Sequence, residues 1–131
     1  MTALVDTNVL VRHLTGDPPA QAAGATRYLQ TADELLLADL IAAEVAYVLE
    51  SFYEAPRAQV AESLRAILAF PAIRVIDREL LLRAVEVYER HRLDFADAYL
   101  VATAEQSGVG EIVSFDRDID RVGTVHRVEP A

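Results

Sequence analysis

Four acidic side chains in this 131-residue chain stand in otherwise apolar surroundings, where a charge needs a reason. Asp6 closes the apolar run Ala3-Leu4-Val5, and Asp116 closes the run Glu111-Ile112-Val113-Ser114-Phe115. An acid at the C-terminal end of a buried parallel strand sits where open α/β sheets bind their ligands. The same acid can equally be a turn residue or the N-cap of the next helix. Glu44 is the only ionisable side chain between Leu40 and Leu49, in a segment that is apolar almost all round and so reads as a buried helix. Helical spacing puts it on the side of Leu40, Ile41 and Val48, so its carboxylate is expected to approach the core. There it needs a cation, a hydrogen bond or a proton, because an unpaired buried charge costs several kcal/mol; an arginine partner or a place at the core's edge would meet the same need. Asp97 lies in Leu93-Asp94-Phe95-Ala96-Asp97-Ala98, and no charge follows it until Glu105. Asp94 and Asp97 have capping-box spacing, so Asp94 can cap a helix whose first turn carries Asp97.

The elements that carry these acids follow from hydrophobic periodicity and from the punctuation by Gly, Pro and Asp. Strands are expected at Ala3 to Val5, Leu35 to Ala38, Ile73 to Ile76, Glu111 to Phe115 and, as an edge strand, Thr124 to Val128. Between them, helices are expected from Asn8 to about Leu14, Pro19 to Thr31, Leu40 to Tyr53, Pro56 to Phe70, Glu79 to His91 and Asp94 to about Ser107. Asp39 and Asp77 read as N-caps, Gly16 as part of a stop signal and Gly108 as a left-handed C′ residue. Asp116 to Arg121 reads as a turn or short helix. Strands alternating with helices imply a mostly parallel sheet covered on both faces, hence one α/β domain over residues 1–131.

Composition removes several chemistries. The chain has no Cys, which rules out disulfides, thiolate nucleophiles and Cys-based zinc or iron–sulfur sites. All 12 basic residues are Arg. Without Lys there is no P-loop, and the lysine commonly needed by haloacid-dehalogenase-type phosphatases and phospho-receiver domains is missing as well. No GxSxG marks a serine hydrolase. Asp116-Arg117-Asp118-Ile119-Asp120 is not a calcium loop, since Arg121 and Arg127 occupy the positions that require Gly and Glu. A formal charge of −9 argues against generic nucleic-acid binding, so any nucleic acid must be held locally. No apolar run reaches the ~18 residues of a membrane span, and no basic leader precedes the first strand, which places the protein in the cytoplasm with no membrane partner.

Taken in order, Leu4-Val5-Asp6-Thr7-Asn8-Val9-Leu10, Glu44 in its apolar helix, Asp94-Phe95-Ala96-Asp97-Ala98 and Val113-Ser114-Phe115-Asp116 resemble the PIN-domain nucleases. Length and the lack of an appended domain resemble their VapC-type toxins most. The resemblance covers nearly the whole chain; Ser114 stands where the family often has Thr and keeps the hydroxyl. It implies a three-layer α/β/α sandwich around a central, mostly parallel sheet of four to five strands. It also implies that Asp6, Glu44, Asp97 and Asp116, with Asp94 as a further ligand, hold one or two Mg²⁺ or Mn²⁺ ions and cut RNA. An all-oxygen donor set suits such hard cations, and His13, His91 and His126 are not spaced to hold a softer metal. Thr7, Asn8 and Ser114 would orient ligands or water, with Asp118 further out, while Arg12, His13 and Arg117 would grip flanking phosphates. A VapC-type toxin implies a small basic VapB-like antitoxin partner besides the RNA substrate. The apolar stretches Ala42 to Phe52 and Val60 to Phe70 suggest a homodimer. The alternative is a PIN-like binding or regulatory module with weak or no catalysis.

Overall fold

Every apolar run expected to be a strand becomes one, and every pairing is parallel. The computed structural model describes residues 2–131, in two compact units, Met1–Ile76 and Asp77–Ala131. The first carries β1 (Thr2–Leu4), α1 (Thr7–Thr15), α2 (Pro19–Thr31), β2 (Glu34–Leu36), α3 (Asp39–Ser51), α4 (Arg57–Ala69) and β3 (Ile73–Arg74). Its sheet has the order β1-β2-β3, with Ala3 opposite Leu35 and Leu35 opposite Ile73. Glu34 straps the three strands together, accepting from the Thr2 hydroxyl at 2.6 Å and from the Arg74 guanidinium at 2.8 Å. Leu35, Leu37 and Ile73 are buried, as are Leu10 and Val11 of α1, Val45 and Leu49 of α3, and Val60 and Leu64 of α4.

The second unit carries α5 (Arg78–His91), α6 (Phe95–Ser107), β4 (Glu111–Val113), a 3-10 helix (Arg117–Arg121) and β5 (His126–Val128). β4 and β5 pair in parallel with Ile112 opposite Arg127. Tyr88 of α5 is fully buried and meets Phe95 at the start of α6, ring centroids 6.1 Å apart. Arg127 is the polar counterpart of this packing. Its guanidinium donates to both Asp120 oxygens, at 3.0 and 3.2 Å, and to the Ser114 carbonyl at 3.0 Å, fastening the 3-10 helix to β5.

The five strands match the expected α/β class, but they form sheets of three and two, and each except β1 is shorter than its apolar run. The chain leaves the ladder where a helix start claims it. β3, for instance, ends at Arg74, and Asp77 then accepts the Leu80 N–H at 3.0 Å as the cap of α5. Gly16 and Gly108 close α1 and α6 with φ of 72° and 76°, a left-handed turn that costs glycine nothing. Asp39 departs from its expected role: Ala38 is the N-cap of α3, and Asp39 lies inside the first turn, where its charge still complements the positive helix end.

Candidate metal centre

Three carboxylates of the second unit come together. Asp94 is the N-cap of α6 and accepts the Asp97 N–H at 2.9 Å, which brings Asp97 into the first helical turn. Asp116 is the N-cap of the 3-10 helix; its Oδ1 accepts the Asp118 N–H at 2.9 Å, and its own N–H donates to the Ser114 hydroxyl at 2.9 Å. Partial burial first, then a hydrogen bond with Asp116 and the charges of Asp94 and Asp116, push the Asp97 carboxyl up to about 6. Burial and neighbouring negative charge act in the same direction here, both disfavouring the ionised carboxylate.

In the first unit, Asp6 occupies the N-cap position of α1 yet makes no side-chain capping bond, and it is exposed. Thr7 follows it at only 3% exposure, and among the described residues its Oγ1 is buried with no hydrogen-bond partner. Asn8 is exposed. Glu44 corrects the expectation of a buried acid. It is exposed on α3, on one stripe with Leu40 and Tyr47, while Ala42, Val45, Ala46 and Leu49 fill the buried face. α3 is apolar on both faces, so its composition could not say which one meets the core.

The basic residues divide in the same way. His13 is committed to the fold: Nδ1 lies 2.8 Å from the Thr26 hydroxyl, the ring meets Phe70 edge-on at 5.4 Å, and burial lowers its pKa. Arg12 is half-buried, and among the described residues its Nε has no hydrogen-bond partner. With Val9, Gln21 and Tyr28 it lines a cavity of about 470 Å³ between α1 and α2. Arg117, next to Asp116, is exposed.

A PIN domain family model matches residues 3–125. The chain belongs to the PIN-domain family. Among curated proteins, this PIN domain is similar to a VapC ribonuclease of Aquifex aeolicus (strain VF5), 25% identical over 123 residues that cover 92% of this chain and 91% of the relative. Among solved structures it is similar to Mycobacterium tuberculosis VapC20, a sarcin-ricin loop cleaving toxin, with a TM-score of 0.44, 17% identity and coverage of 92% and 93% of the two chains. It is also similar to VapBC2 of Rickettsia felis bound to a DNA fragment from their promoter, with a TM-score of 0.40, 14% identity and 98% coverage of each chain.

The donors of this PIN domain fit a hard divalent cation. Asp94, Asp97 and Asp116 offer only oxygen, and a cation's charge would offset both the burial that chiefly raises Asp97 and the neighbouring acids that add to it. As placed, among the described residues, no three His, Cys, Asp or Glu side chains are arranged to hold a metal ion. Thr124 and the other hydroxyls near α6 belong elsewhere, since Thr124 donates to Glu105 in the Arg83–Glu105 network, whose Nε–Oε1 contact is 2.8 Å.

Proposed function

We propose that this PIN domain is a metal-dependent endoribonuclease, the toxin of a toxin–antitoxin pair, with Asp6, Glu44, Asp97 and Asp116 as its catalytic carboxylates. The observation that carries the reading is a PIN-domain match over residues 3–125 that includes Asp94 capping the turn of Asp97, with Asp116 close enough to Asp97 to share a hydrogen bond. Bound Mg²⁺ or Mn²⁺, one ion or two, would polarise the scissile phosphate, lower the pKa of a water and stabilise the departing oxygen.

The chain's own part is to hold and aim. Asp97 and Asp116 present oxygens, and the Asp94 cap fixes the turn from which Asp97 projects. The Ser114 hydroxyl fixes the backbone of Asp116. Thr7 Oγ1, buried beside Asp6 with no partner among the described residues, orients a ligand or water, and Asn8 does the same from the exposed side. Arg12 and Arg117 hold flanking phosphates. His13 serves this task by keeping α1 against α2.

Residues 1–131 act as a single nuclease domain, a reading supported by one family model running from residue 3 to 125. RNA is the substrate, a reading supported by the likeness to a VapC ribonuclease; a small basic VapB-like protein is the antitoxin, and the charge of −9 suits a basic partner. The exposed α3 stripe, with Leu40 at 78% and Tyr47 at 66%, supports a homodimer through α3. α4 turns its apolar residues inward, so it leaves the dimer to α3. Sedimentation at tens of micromolar should report the dimer, and a monomer alone would remove it. No described helix is long and apolar enough to cross a membrane, and the cytoplasm is the proposed compartment.

The test is cleavage of RNA by partner-free protein with and without Mn²⁺. Cleavage that needs Mn²⁺, stops on chelation and disappears in Asp97→Asn is the expected result. Metal-independent cleavage, or full activity in Asp97→Asn, would sink it.

A further inference from the structure

The last carbonyl oxygens of a helix have no partner within it. At the end of α5 the residue in the left-handed conformation is Arg92, φ 58°, followed by buried Leu93 and then by Asp94. The carbonyls at this corner are met from outside. Arg121 Nη1, on the 3-10 helix, donates to the Arg92 oxygen at 3.0 Å and lies 3.5 Å from the His91 oxygen. Its Nη2 pairs with Asp118 Oδ1 at 3.0 Å, and the Asp118 N–H donates to Asp116 at 2.9 Å. One guanidinium therefore joins the corner that launches Asp94 and Asp97 to the turn that carries Asp116. Arg127 holds the same 3-10 helix to β5, so Arg121 is its tie to the α5–α6 corner.

We propose that Arg121 is a positioning residue: it sets the spacing between Asp116 and the Asp94–Asp97 pair, and so the affinity of these carboxylates for a divalent cation. This rests on the metal-dependent reading above. The fork geometry explains why an arginine serves, since two carbonyls and a carboxylate need several donors at fixed angles. The pair is half exposed, 48% for Arg121 and 53% for Asp118, so it adds little to folding.

Charge and position predict opposite signs. As a mere positive charge near a cation site, Arg121 repels the metal, and its removal would tighten binding. As a positioning residue it gathers the ligands, and its removal weakens binding, by about tenfold for a group that orients metal ligands.

The experiment is Mn²⁺ titration calorimetry on the full chain, with thermal melting in parallel, for wild type, Arg121→Gln, Arg121→Lys and Arg90→Gln. The last removes the same charge from a 72% exposed side chain on α5. About tenfold weaker Mn²⁺ binding in Arg121→Gln, intermediate binding in Arg121→Lys and wild-type binding in Arg90→Gln, with melting temperatures nearly equal, is the expected pattern. Unchanged or tighter binding in folded Arg121→Gln overturns the proposal. If Arg121→Gln fails to fold, Asp118→Asn replaces it, since it loosens the same tie from the other end, and wild-type affinity there overturns the proposal equally. A wild-type chain that binds no Mn²⁺ overturns the metal reading itself, which is a different result from an insensitive Arg121.

Discussion

α3 and α6 are both apolar helices interrupted by an acid, yet the fold treats the two acids differently. Glu44 lies in the middle of α3 on an exposed stripe with Leu40 and Tyr47. Asp97 lies in the first turn of α6, partly buried, beside Asp94 and Asp116, with its carboxyl pushed up to about 6. An acid in mid-helix can only be aimed by the face it occupies. One in the first turn is also aimed by the cap before it and by whatever loop meets the helix end, which is how three carboxylates are crowded together here. Glu44 faces solvent, whereas burial and two neighbouring acids disfavour the ionised form of Asp97.

Replacement of each acid by its amide tests this contrast most strongly. Asp97→Asn should lower RNA cleavage about a thousandfold, several kcal/mol of lost metal-assisted stabilisation. It should also raise the melting temperature of metal-free protein near neutral pH. The sign follows from linkage: the folded chain holds the Asp97 proton more tightly than the unfolded one, so stability falls as pH rises from 3.8 to about 6. The stabilisation should therefore vanish at about pH 4 and return above pH 6, read as the difference between variant and wild-type melts. Glu44→Gln should also reduce cleavage, but with stability within about 0.5 kcal/mol of wild type, as for other exposed positions. An equal gain in melting temperature near neutral pH from the two variants would erase the distinction between the helices.

Smaller effects sharpen the comparison. Thr7→Val removes a buried hydroxyl that has no partner among the described residues, so denaturant titration should find stability unchanged or raised by up to about 1 kcal/mol. Cleavage should nonetheless fall about tenfold if that hydroxyl orients a ligand or water. A loss of stability with no loss of cleavage would make Thr7 a packing residue. Asp94→Ala deletes the cap of α6, costing about 1 kcal/mol in the same titration, and loosens the turn that holds Asp97. An equal cost from Asp77→Ala, the cap of α5, with cleavage intact, would separate capping from catalysis.

Local chemistry was enough to place helix ends. Asp77 and Asp94 cap, and Gly16 and Gly108 terminate, because a carboxylate one turn from free N–H groups and a residue without a Cβ act within a few positions of themselves. The order of strands and helices, and the acids at strand ends, were legible for the same reason. The orientation of Glu44 was not: with apolar residues on both faces of α3, periodicity defines the faces without ranking them, and burial depends on distant elements. Nor could spacing reveal that His13 is claimed by Thr26 and Phe70, that Thr7 is sealed in, or that Arg121 reaches back about thirty residues to the end of α5. Such contacts join segments far apart along the chain, and no pattern within one segment encodes them; they exist once packing has brought the segments together.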